Sequence, residues 1–546
     1  MSTAQEFYQR TQAWLEQIME ADPVVATQLG DHRYDHTLGD MSLAAMDKQV
    51  QELASAQEEL AGFDPAGWPN EARIDHTLMT QILKSFRRQF DVLRLHRRNP
   101  GQYLDATTGG VLLLVMKEFA PLPERLRSAL GRVKEVPGVL AEAKRNLIPD
   151  ETPRIWAETA LEQAQMAPML YTAMLPQLAR QAAPDLAEEF VAAGQTAGAA
   201  VGEYVAFLKD ELLPNATGQF AVGKSLFEEL LREDHMVDYG ADELLAIGWE
   251  QFEDTKRQME AVAREIDSSK TVEEILDEAK NDHPTADGLL KAYEDAMRSA
   301  RQYVIDHEIA TIPYGETLRV VETPPYMRPI IPYAAYMPPG ILETKQEGIF
   351  IVTPVDSGAP ADVQEKKLKG HFNVKLPVVA LHEAYPGHHL QMTWANRVET
   401  LPRKMGSFLA TLFIEGWAFY CEELMEQLGW IAEPLQRLGR LHDQLWRAGR
   451  IILDVSLHTG ALTVEEAIDF MVDRVQLERT NATAEVRRYT MTPTQPQSYL
   501  MGKLQILDLV IEYKKTYPDA SLRQMHDAFL SAGSLPPRLM RQALFG

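Results

Sequence analysis

The chain has 546 residues, 45% of them hydrophobic and 24% charged, which is typical of a folded globular protein with a large core. The formal net charge is −25 with the acidic excess spread along the chain, which argues against nucleic acid or an anionic membrane as a partner, because both attract Lys/Arg clusters. A single cysteine, Cys421, excludes an intramolecular disulfide and a thiolate-cage metal site.

The N-terminus and the hydropathy of the chain predict where the protein resides. Residues 1–17 are polar and amphipathic and lack the apolar core of a signal peptide. No run approaches the roughly 18 apolar residues that a membrane-spanning helix needs. We therefore expect a cytoplasmic protein.

The first 42 residues are predicted to form a helix over 4–20 followed by a loop over 24–42. The loop is rich in Asp, His and Gly, and His32, Asp35 and His36 are candidate ligands. Turn formation and helix capping explain such residues at least as well, so the ligand interpretation is the less favoured one.

Most of the remaining chain has helical periodicity. Between 43 and about 212, and again over 241–268 and 285–309, apolar residues recur at intervals of three and four. Near 311 prolines and tyrosines become frequent, and GIFIVTPV (348–355) is the best strand candidate. We predict a mainly α fold, a large multi-helix body enclosing a cleft, with a small β element near residues 311–356.

The change of amino-acid composition near residue 310 also suggests a division of the chain. It separates a helical N-terminal half, 1–310, from a C-terminal half, 311–546, in which the candidate chemical residues lie. The boundary is soft, because the same pattern is compatible with one continuous domain.

The stretch 376–398, LPVVALHEAYPGHHLQMTWANRV, carries the candidate chemistry. It sets His382, Glu383, His388 and His389 in a largely apolar, helix-like run. A hydrolytic zinc site needs three His, Glu or Asp ligands, an open position for water and a carboxylate beside the metal. The common device is H-E-x-x-H, but here Pro386 stands four residues after His382, so that motif is absent.

The spacing of the histidines requires a departure from regular helix. Six residues along a helix turn a side chain about 240° away, and seven restore the face at a rise of about 10.5 Å. Pro386 and Gly387 disfavour regular helix at this point, which predicts a bulge that brings His382 and His388 together. We prefer His388 over His389 as the second ligand, with the other imidazole supporting the site or contacting substrate.

The third ligand must come from another segment. Glu415 is the strongest candidate, because an isolated carboxylate in the apolar helix 405–429 needs a metal or an ion-pair partner. A following helix that supplies a Glu would complete a His₂Glu set. Glu422 and Glu423 are weaker candidates, and a buried ion pair of Glu415 with an Arg is the alternative.

Hydrolysis also needs hydrogen-bond donors for the oxyanion, and a cation if a substrate terminus is bound. The densest such group after the metal segment consists of Arg487, Arg488, Tyr489, Gln495 and Tyr499. Tyr336, in the stretch rich in Pro and Tyr, is a further candidate. Structural hydrogen bonds explain each of these residues equally well.

Three motifs resemble a known family: HEAYPGHHLQ, IEGWAFYCEEL, and EVRRY followed by PTQPQSYLMG. They are similar to those of the large bacterial family called Domain of Unknown Function 885, and the resemblance extends to VVATQLGDHRYDHTLGDMS near the N-terminus. The family is mostly helical and is regarded as a set of zinc peptidases. One departure is Leu500, where members often carry Lys.

The resemblance implies particular roles. His382, His388 and Glu415 would be ligands of one Zn²⁺ per chain, and Glu383 would be the general base. It also favours Arg488, Tyr489 and Tyr499 among the candidate donors, and leaves His389, Arg487, Gln495 and Tyr336 as candidate substrate-binding residues.

The first functional hypothesis is a zinc-dependent peptidase of the oligopeptidase or carboxypeptidase type, with a short peptide as its partner. A metal-dependent amidase or esterase acting on a small metabolite is the second. The third is a non-catalytic protein whose imidazoles bind a ligand without metal, and metal content separates it from the other two.

Overall fold

The computed structural model describes residues 3–323, 328, 331 and 333–546. The chain is 70% helical with a small three-stranded sheet, which confirms the predicted mainly α fold. It forms two compact units, one of residues 1–220 and 340–344 and the other of residues 221–339 and 345–546. The predicted boundary near residue 310 lies inside the second unit.

The first unit is helical, and α1 shows how its helices begin. Thr3 accepts a hydrogen bond from the Glu6 amide, and the Glu6 carboxylate accepts one from the Thr3 amide, so two amides at the helix start are satisfied. The helices of the first unit are α1 (Ala4–Ala21), α2 (Pro23–Leu29), α3 (Leu43–Ala61), α4 (Asn70–Asp91), α5 (Leu95–Arg98), α6 (Gly101–Leu104), α7 (Gly110–Met116), α8 (Leu122–Asn146), α9 (Arg154–Met166), α10 (Leu175–Ala182), α11 (Ala187–Phe207) and α12 (Leu213–Asn215).

The second unit combines helices with the sheet. Its helices are α13 (Lys224–Glu233), α14 (Ala241–Ile266), α15 (Val272–Ala279), α16 (Leu289–Asp306), α17 (Ala361–Lys369), α18 (Leu376–Glu383), α19 (His388–Ala395), α20 (Leu401–Lys404), α21 (Thr411–Gln427), α22 (Pro434–His458), α23 (Val464–Asp473), α24 (Arg479–Met491), α25 (Ser498–Thr516), α26 (Leu522–Ser531) and α27 (Pro537–Phe545). In the part of the chain that the structure describes, no helix is both long enough and apolar enough to cross a membrane.

The sheet lies where the sequence predicts a β element. Its strands are β1 (Thr317–Glu322), β2 (Ala334–Met337) and β3 (Glu347–Val352). β3 is central, parallel to β1 and antiparallel to β2. β3 is buried along most of its length, which explains its continuous apolar sequence.

Helices α21 and α25 of the second unit pack unusually closely. A Cβ on Gly502 would lie 1.9 Å from the carbonyl oxygen of Leu412, and one on Gly416 would lie 2.3 Å from the carbonyl carbon of Gly502. Only glycine permits this approach of two backbones. Because Glu415 and Tyr499 flank these glycines in sequence, the crossing brings both side chains to one cavity.

The His-rich loop of the first unit forms an ion-pair cluster. His32 Nδ1 lies 2.9 Å from Asp35 and Nε2 lies 3.2 Å from Glu343, while the ring stacks on Phe119 at 3.5 Å. Both ring nitrogens are therefore occupied by carboxylates. Residues 340–344 are thereby held to the helices of the first unit, which is a structural role for this loop.

This cluster predicts a pH-dependent stability. Burial opposes protonation of His32, but the hydrogen bonds to Asp35 and Glu343 outweigh it and raise the pKa of His32 to about 9. The contribution should be fully present below the unfolded pKa of about 6.5 and be lost as the pH rises through about 9. We expect His32→Gln to lower the free energy of unfolding by about 1–3 kcal/mol at pH 6 and by much less at pH 10, as measured by denaturant titration.

The exposed neighbour His36 provides the control. His36→Gln should change the free energy of unfolding by less than about 0.5 kcal/mol at both pH values. An equal loss for His32→Gln at pH 6 and pH 10 would show that packing against Phe119, rather than charge, accounts for the contribution.

Candidate metal centre and its cavity

The histidine segment is interrupted between the two candidate ligands. α18 ends at Glu383 and α19 begins at His388, so the chain leaves the helix entirely over residues 384–387. The prediction of a bulge within one continuous helix is therefore wrong, because the helix ends and a second one begins. Pro386 and Gly387 are accommodated by a complete break, because Ala384 already leaves the helical region (φ −112°, ψ −86°).

Gly387 allows the two helix ends to fold against each other. Its amide donates to the carbonyl of Leu381 at 3.0 Å, and a Cβ at this position would lie 1.9 Å from the carbonyl oxygen of His382. The carbonyl of Pro386 accepts a hydrogen bond from Trp417 Nε1 at 2.8 Å. The break is thus held by contacts with both α18 and α21.

The break brings the two predicted imidazoles together with Glu415. The His382 and His388 rings lie 4.8 Å apart between centroids and are perpendicular, and His388 Nε2 lies 3.5 Å from Glu415 Oε2. One ligand atom from each of the three residues lies within 4.8 Å of the others, and no other such group of three occurs in the described part of the chain.

These residues fit a zinc ion in chemistry and nearly in size. Two ligands of a tetrahedral zinc site, each about 2.0–2.1 Å from the ion, lie about 3.4 Å apart. The His388–Glu415 pair matches this separation, and the full set is wider by at most about 1.4 Å. His388 presents Nε2 to Glu415, so Nε2 is the atom that it offers to a metal, while its buried Nδ1 has no hydrogen-bond partner among the described residues.

The contact between Glu415 and His388 favours an ionised carboxylate beside a protonated imidazole. Burial alone would raise the pKa of Glu415, but the hydrogen bond and charge of His388 outweigh it and lower the pKa to about 2. Burial likewise opposes protonation of His388, and Glu415 outweighs it and raises the pKa of His388. A cation at this point would take the place of the proton on His388.

Glu422 orients His382 from behind. It lies 2.7 Å from His382 Nδ1 and is 1% exposed, so Nε2 of the imidazole is left for a ligand. Glu415 and Glu422 are seven residues apart on α21 and therefore share one face. Glu423, by contrast, pairs with Lys503 and lies away from the imidazoles.

Glu383 lies beside the three candidate ligands in a cavity of about 490 Å³. Among the described residues, no hydrogen bond or ion pair joins its carboxylate to another side chain. Tyr336 and Tyr499 line the same cavity, and their predicted contacts with substrate stay predictions. The cavity has the size of a small-ligand site.

His389 lies outside this cavity. It is fully buried, with Nε2 2.8 Å from Glu316 and Nδ1 3.0 Å from the hydroxyl of Tyr336. Glu316 also accepts a hydrogen bond from Tyr385 at 2.6 Å and pairs with Arg301. The geometry thus favours His388 as the ligand and gives His389 a supporting contact with Tyr336; direct substrate contact by His389 stays a prediction.

Three of the predicted donors lie behind the cavity wall. Tyr489 is fully buried and donates to Glu485 at 2.8 Å, and Arg488 donates to Glu485 and to Gln495. None of these residues lines the cavity, and neither does Arg487. Their predicted roles stay predictions; Tyr489 contacts Arg450 directly, and Arg488 shares Glu485 with it.

Comparison with known proteins identifies the family. The family described as "Bacterial protein of unknown function (DUF885)" matches residues 23–544. The chain belongs to this family. This confirms the resemblance drawn from the HEAYPGHH element, and the match includes every candidate site residue.

Two solved structures are similar to this family member over its whole length. One, named a "putative lipoprotein of unknown function" from Shewanella oneidensis, is 24% identical with a TM-score of 0.81, and each chain is covered completely. The other, named a "putative lipoprotein" from Colwellia psychrerythraea, is 17% identical with a TM-score of 0.83, covering 100% of this chain and 99% of that one. At these identities the likeness concerns the fold. No curated protein matches the chain.

Sequence reasoning missed one wall of the cavity in this family member. α22 contributes four residues at helical spacing, and they are Asp443, Trp446, Arg447 and Arg450. The helix is buried at every position from 438 to 458 except at Trp446 and Arg447, which face the cavity. The spacing three, four and seven was present in the sequence, but a charged stripe is usually the solvent face of a helix.

Proposed function

We propose that the protein is a zinc-dependent peptidase that hydrolyses short peptides. The observation that supports this most strongly is the convergence of His382, His388 and Glu415 beside Glu383, whose carboxylate is unpaired among the described residues, in one cavity. A zinc ion bound there would activate a water molecule and polarise the scissile carbonyl. We propose one zinc per chain.

In this proposal Glu383 is the general base. Its carboxylate accepts a proton as the water oxygen bonds to the carbonyl carbon, and returns it to the nitrogen as the C–N bond breaks. A carboxylate that has no competing partner among the described residues and lines the same cavity as the ligand set suits this exchange. The products are a new carboxylate and a free amine.

Tyr499 and Tyr336 are the proposed donors to the oxyanion. Both line the cavity, and Tyr499 is held by the guanidinium of Arg450, 4.4 Å from its ring centroid. Tyr336 contacts Nδ1 of His389, whose Nε2 faces Glu316, and its hydroxyl proton is free for the oxyanion when His389 donates from both ring nitrogens. Donors aimed at the developing negative charge lower the barrier to acyl transfer. Among the residues named before, Tyr489, Arg488 and Gln495 would act on this wall indirectly.

The experiment is a metal analysis combined with a peptide-library cleavage assay. We expect the purified protein to contain about one zinc per chain and to cleave short peptides, and removal of the metal by a chelator to abolish cleavage. His388→Ala should lose the zinc, because a three-ligand site loses one of its donors. His307→Ala, which removes an exposed imidazole, is the matched control and should keep both.

The outcomes separate the alternatives. Zinc with hydrolysis of amides or esters of small metabolites, but of no peptide, would replace the peptidase proposal by the second hypothesis. Equal metal content in the native protein and in His388→Ala would contradict the proposed ligand set and favour a non-catalytic ligand-binding protein. Residence in the cytoplasm stays a prediction.

A further inference from the structure

Two guanidinium groups face the candidate metal centre. Arg447 and Arg450 stand three residues apart on α22 and both line the cavity. They are the only Lys or Arg side chains in the described lining of that cavity. In a chain with a net charge of −25, such a pair selects anions locally although the protein as a whole repels them.

Arg450 is held rigidly. Its Nε donates to the hydroxyl of Tyr489 at 3.0 Å and its Nη2 to Glu485 at 3.0 Å. Its guanidinium also lies against the rings of Trp446 and Tyr499, 4.6 and 4.4 Å from their centroids. The two hydrogen bonds occupy the edge of the guanidinium formed by Nε and Nη2, and the two rings lie against the group. Nη1 has no protein partner among the described residues. The free edge is therefore pre-organised for a ligand.

Each carboxylate close to these arginines also serves another side chain: Glu485 serves Arg488, Glu422 serves His382, and Asp443 serves Lys375. Glu485 accepts hydrogen bonds from both Arg450 and Arg488, so one carboxylate serves two guanidinium groups. Arg447 donates from Nη1 to the backbone carbonyl of Asp443 at 3.2 Å and from Nη2 to Glu422 at 3.4 Å, and its buried Nε has no hydrogen-bond partner among the described residues. Arg447 and Arg450 both line the cavity, so the N–H groups of theirs that face it are the donors open to an anion.

The two arginines are close to the proposed reaction centre. Glu422 contacts both Arg447 and His382, so Arg447 is separated from a candidate ligand by a single carboxylate. The charge of Arg450 also contributes to the lowered pKa of Glu415. An anion bound to these arginines would therefore lie near the scissile bond of a substrate.

We propose that Arg450, with Arg447 beside it, binds the free C-terminal carboxylate of a peptide substrate, so that the protein acts as a carboxypeptidase. The inference rests on the proposed peptidase function and adds its substrate class. A carboxylate accepts two parallel N–H donors from a guanidinium, which no amide group can do. A substrate whose main chain continues past this site has no terminal carboxylate to offer these cations, so terminus recognition limits cleavage to the C-terminal end of a peptide.

The experiment compares three peptides, two of the same sequence and a third that differs only in its last residue, as substrates of the zinc-loaded native protein. The first has a free C-terminal carboxylate, the second is amidated, and the third is amidated but ends in Glu, so that only the side chain is acidic. We expect kcat/KM for the free acid to exceed that of both amides by about 10- to 100-fold, as charge-assisted hydrogen bonds allow. Arg450→Gln should reduce this ratio towards one while the zinc content is unchanged.

A control and a binding measurement complete the test. Arg437→Gln removes a half-exposed guanidinium from the same helix and should keep the ratio. Calorimetric binding of the free acid and its amide to Glu383→Gln reports carboxylate recognition without turnover, and we expect the acid to bind about 10-fold more tightly or better.

Each outcome has a distinct meaning. Preferential binding of the acid without cleavage of any peptide would end the peptidase proposal but retain the carboxylate site. Cleavage of acid and amide at equal rates, with equal binding, would overturn the carboxylate site and leave the peptidase proposal intact. A preference for the amidated peptide ending in Glu would assign the arginines to an acidic side chain and overturn terminus recognition.

Discussion

Glu383→Gln is expected to lower kcat for peptide hydrolysis by about 10²–10⁴-fold, the usual contribution of a general base. The substitution keeps the size of the side chain and removes only its ability to accept a proton. Because Glu383 is not one of the three converging ligand residues, the zinc content should stay at about one per chain. The measurement is steady-state kinetics on any peptide found in the library screen, together with metal analysis of the same sample.

Glu399→Gln is the control for the loss of one carboxylate close by in the sequence. Glu399 is exposed and does not line the cavity, so its replacement should change kcat by less than about 2-fold. Turnover by Glu383→Gln at the native rate would disprove the general-base assignment. Loss of zinc together with turnover would instead make Glu383 a contributor to metal binding.

The interruption of the helix after Glu383 could be predicted from the sequence only in part. Pro386 and Gly387 indicate a departure from helix, because their effects on the backbone are local. The extent of the departure is not local. It depends on Trp417, 31 residues from Pro386, whose indole donates to the freed carbonyl. The sequence therefore predicts that the two histidines converge but not that the helix ends between them.

The choice between His388 and His389 as the second ligand also depends on contacts distant in sequence. The two imidazoles are adjacent in the sequence, and only their spacing from His382 distinguishes them there. Their roles are separated by Glu316 and Tyr336, which lie 73 and 53 residues from His389 and occupy both of its ring nitrogens. A preference for His388 was possible from spacing alone, but the reason for it is tertiary.

The contact of Glu422 with His382 and the arginines of α22 were not predicted, for different reasons. Glu422 was named as a weaker candidate ligand, and its place two helical turns after Glu415, on the same helix face, would have favoured it over Glu423. Arg447 and Arg450 lie on a helix whose charges resemble a solvent face. Only the packing around α22 shows that this face borders a cavity, and no local pattern contains that information.

Gly387→Ala is expected to lower the free energy of unfolding of the second unit by about 2–4 kcal/mol and to lower its zinc content. The added methyl would lie 1.9 Å from the carbonyl oxygen of His382 and 2.4 Å from that of Leu381. Both contacts are with backbone, which cannot rotate away as a side chain can. The end of α18 must therefore move away from residue 387, and His382 moves with it relative to His388.

Gly138→Ala is the control for this substitution, because a Cβ at Gly138 in α8 meets no atom within 4 Å. Alanine there should be neutral or stabilising by up to about 1 kcal/mol. Denaturant titration and metal analysis of the native protein and both variants provide the comparison. Full zinc content in Gly387→Ala would mean that the two histidines hold their separation without the close contact at residue 387. The break between α18 and α19 would then depend on Pro386 and its contact with Trp417, and the metal centre would not depend on how tightly the two helix ends pack.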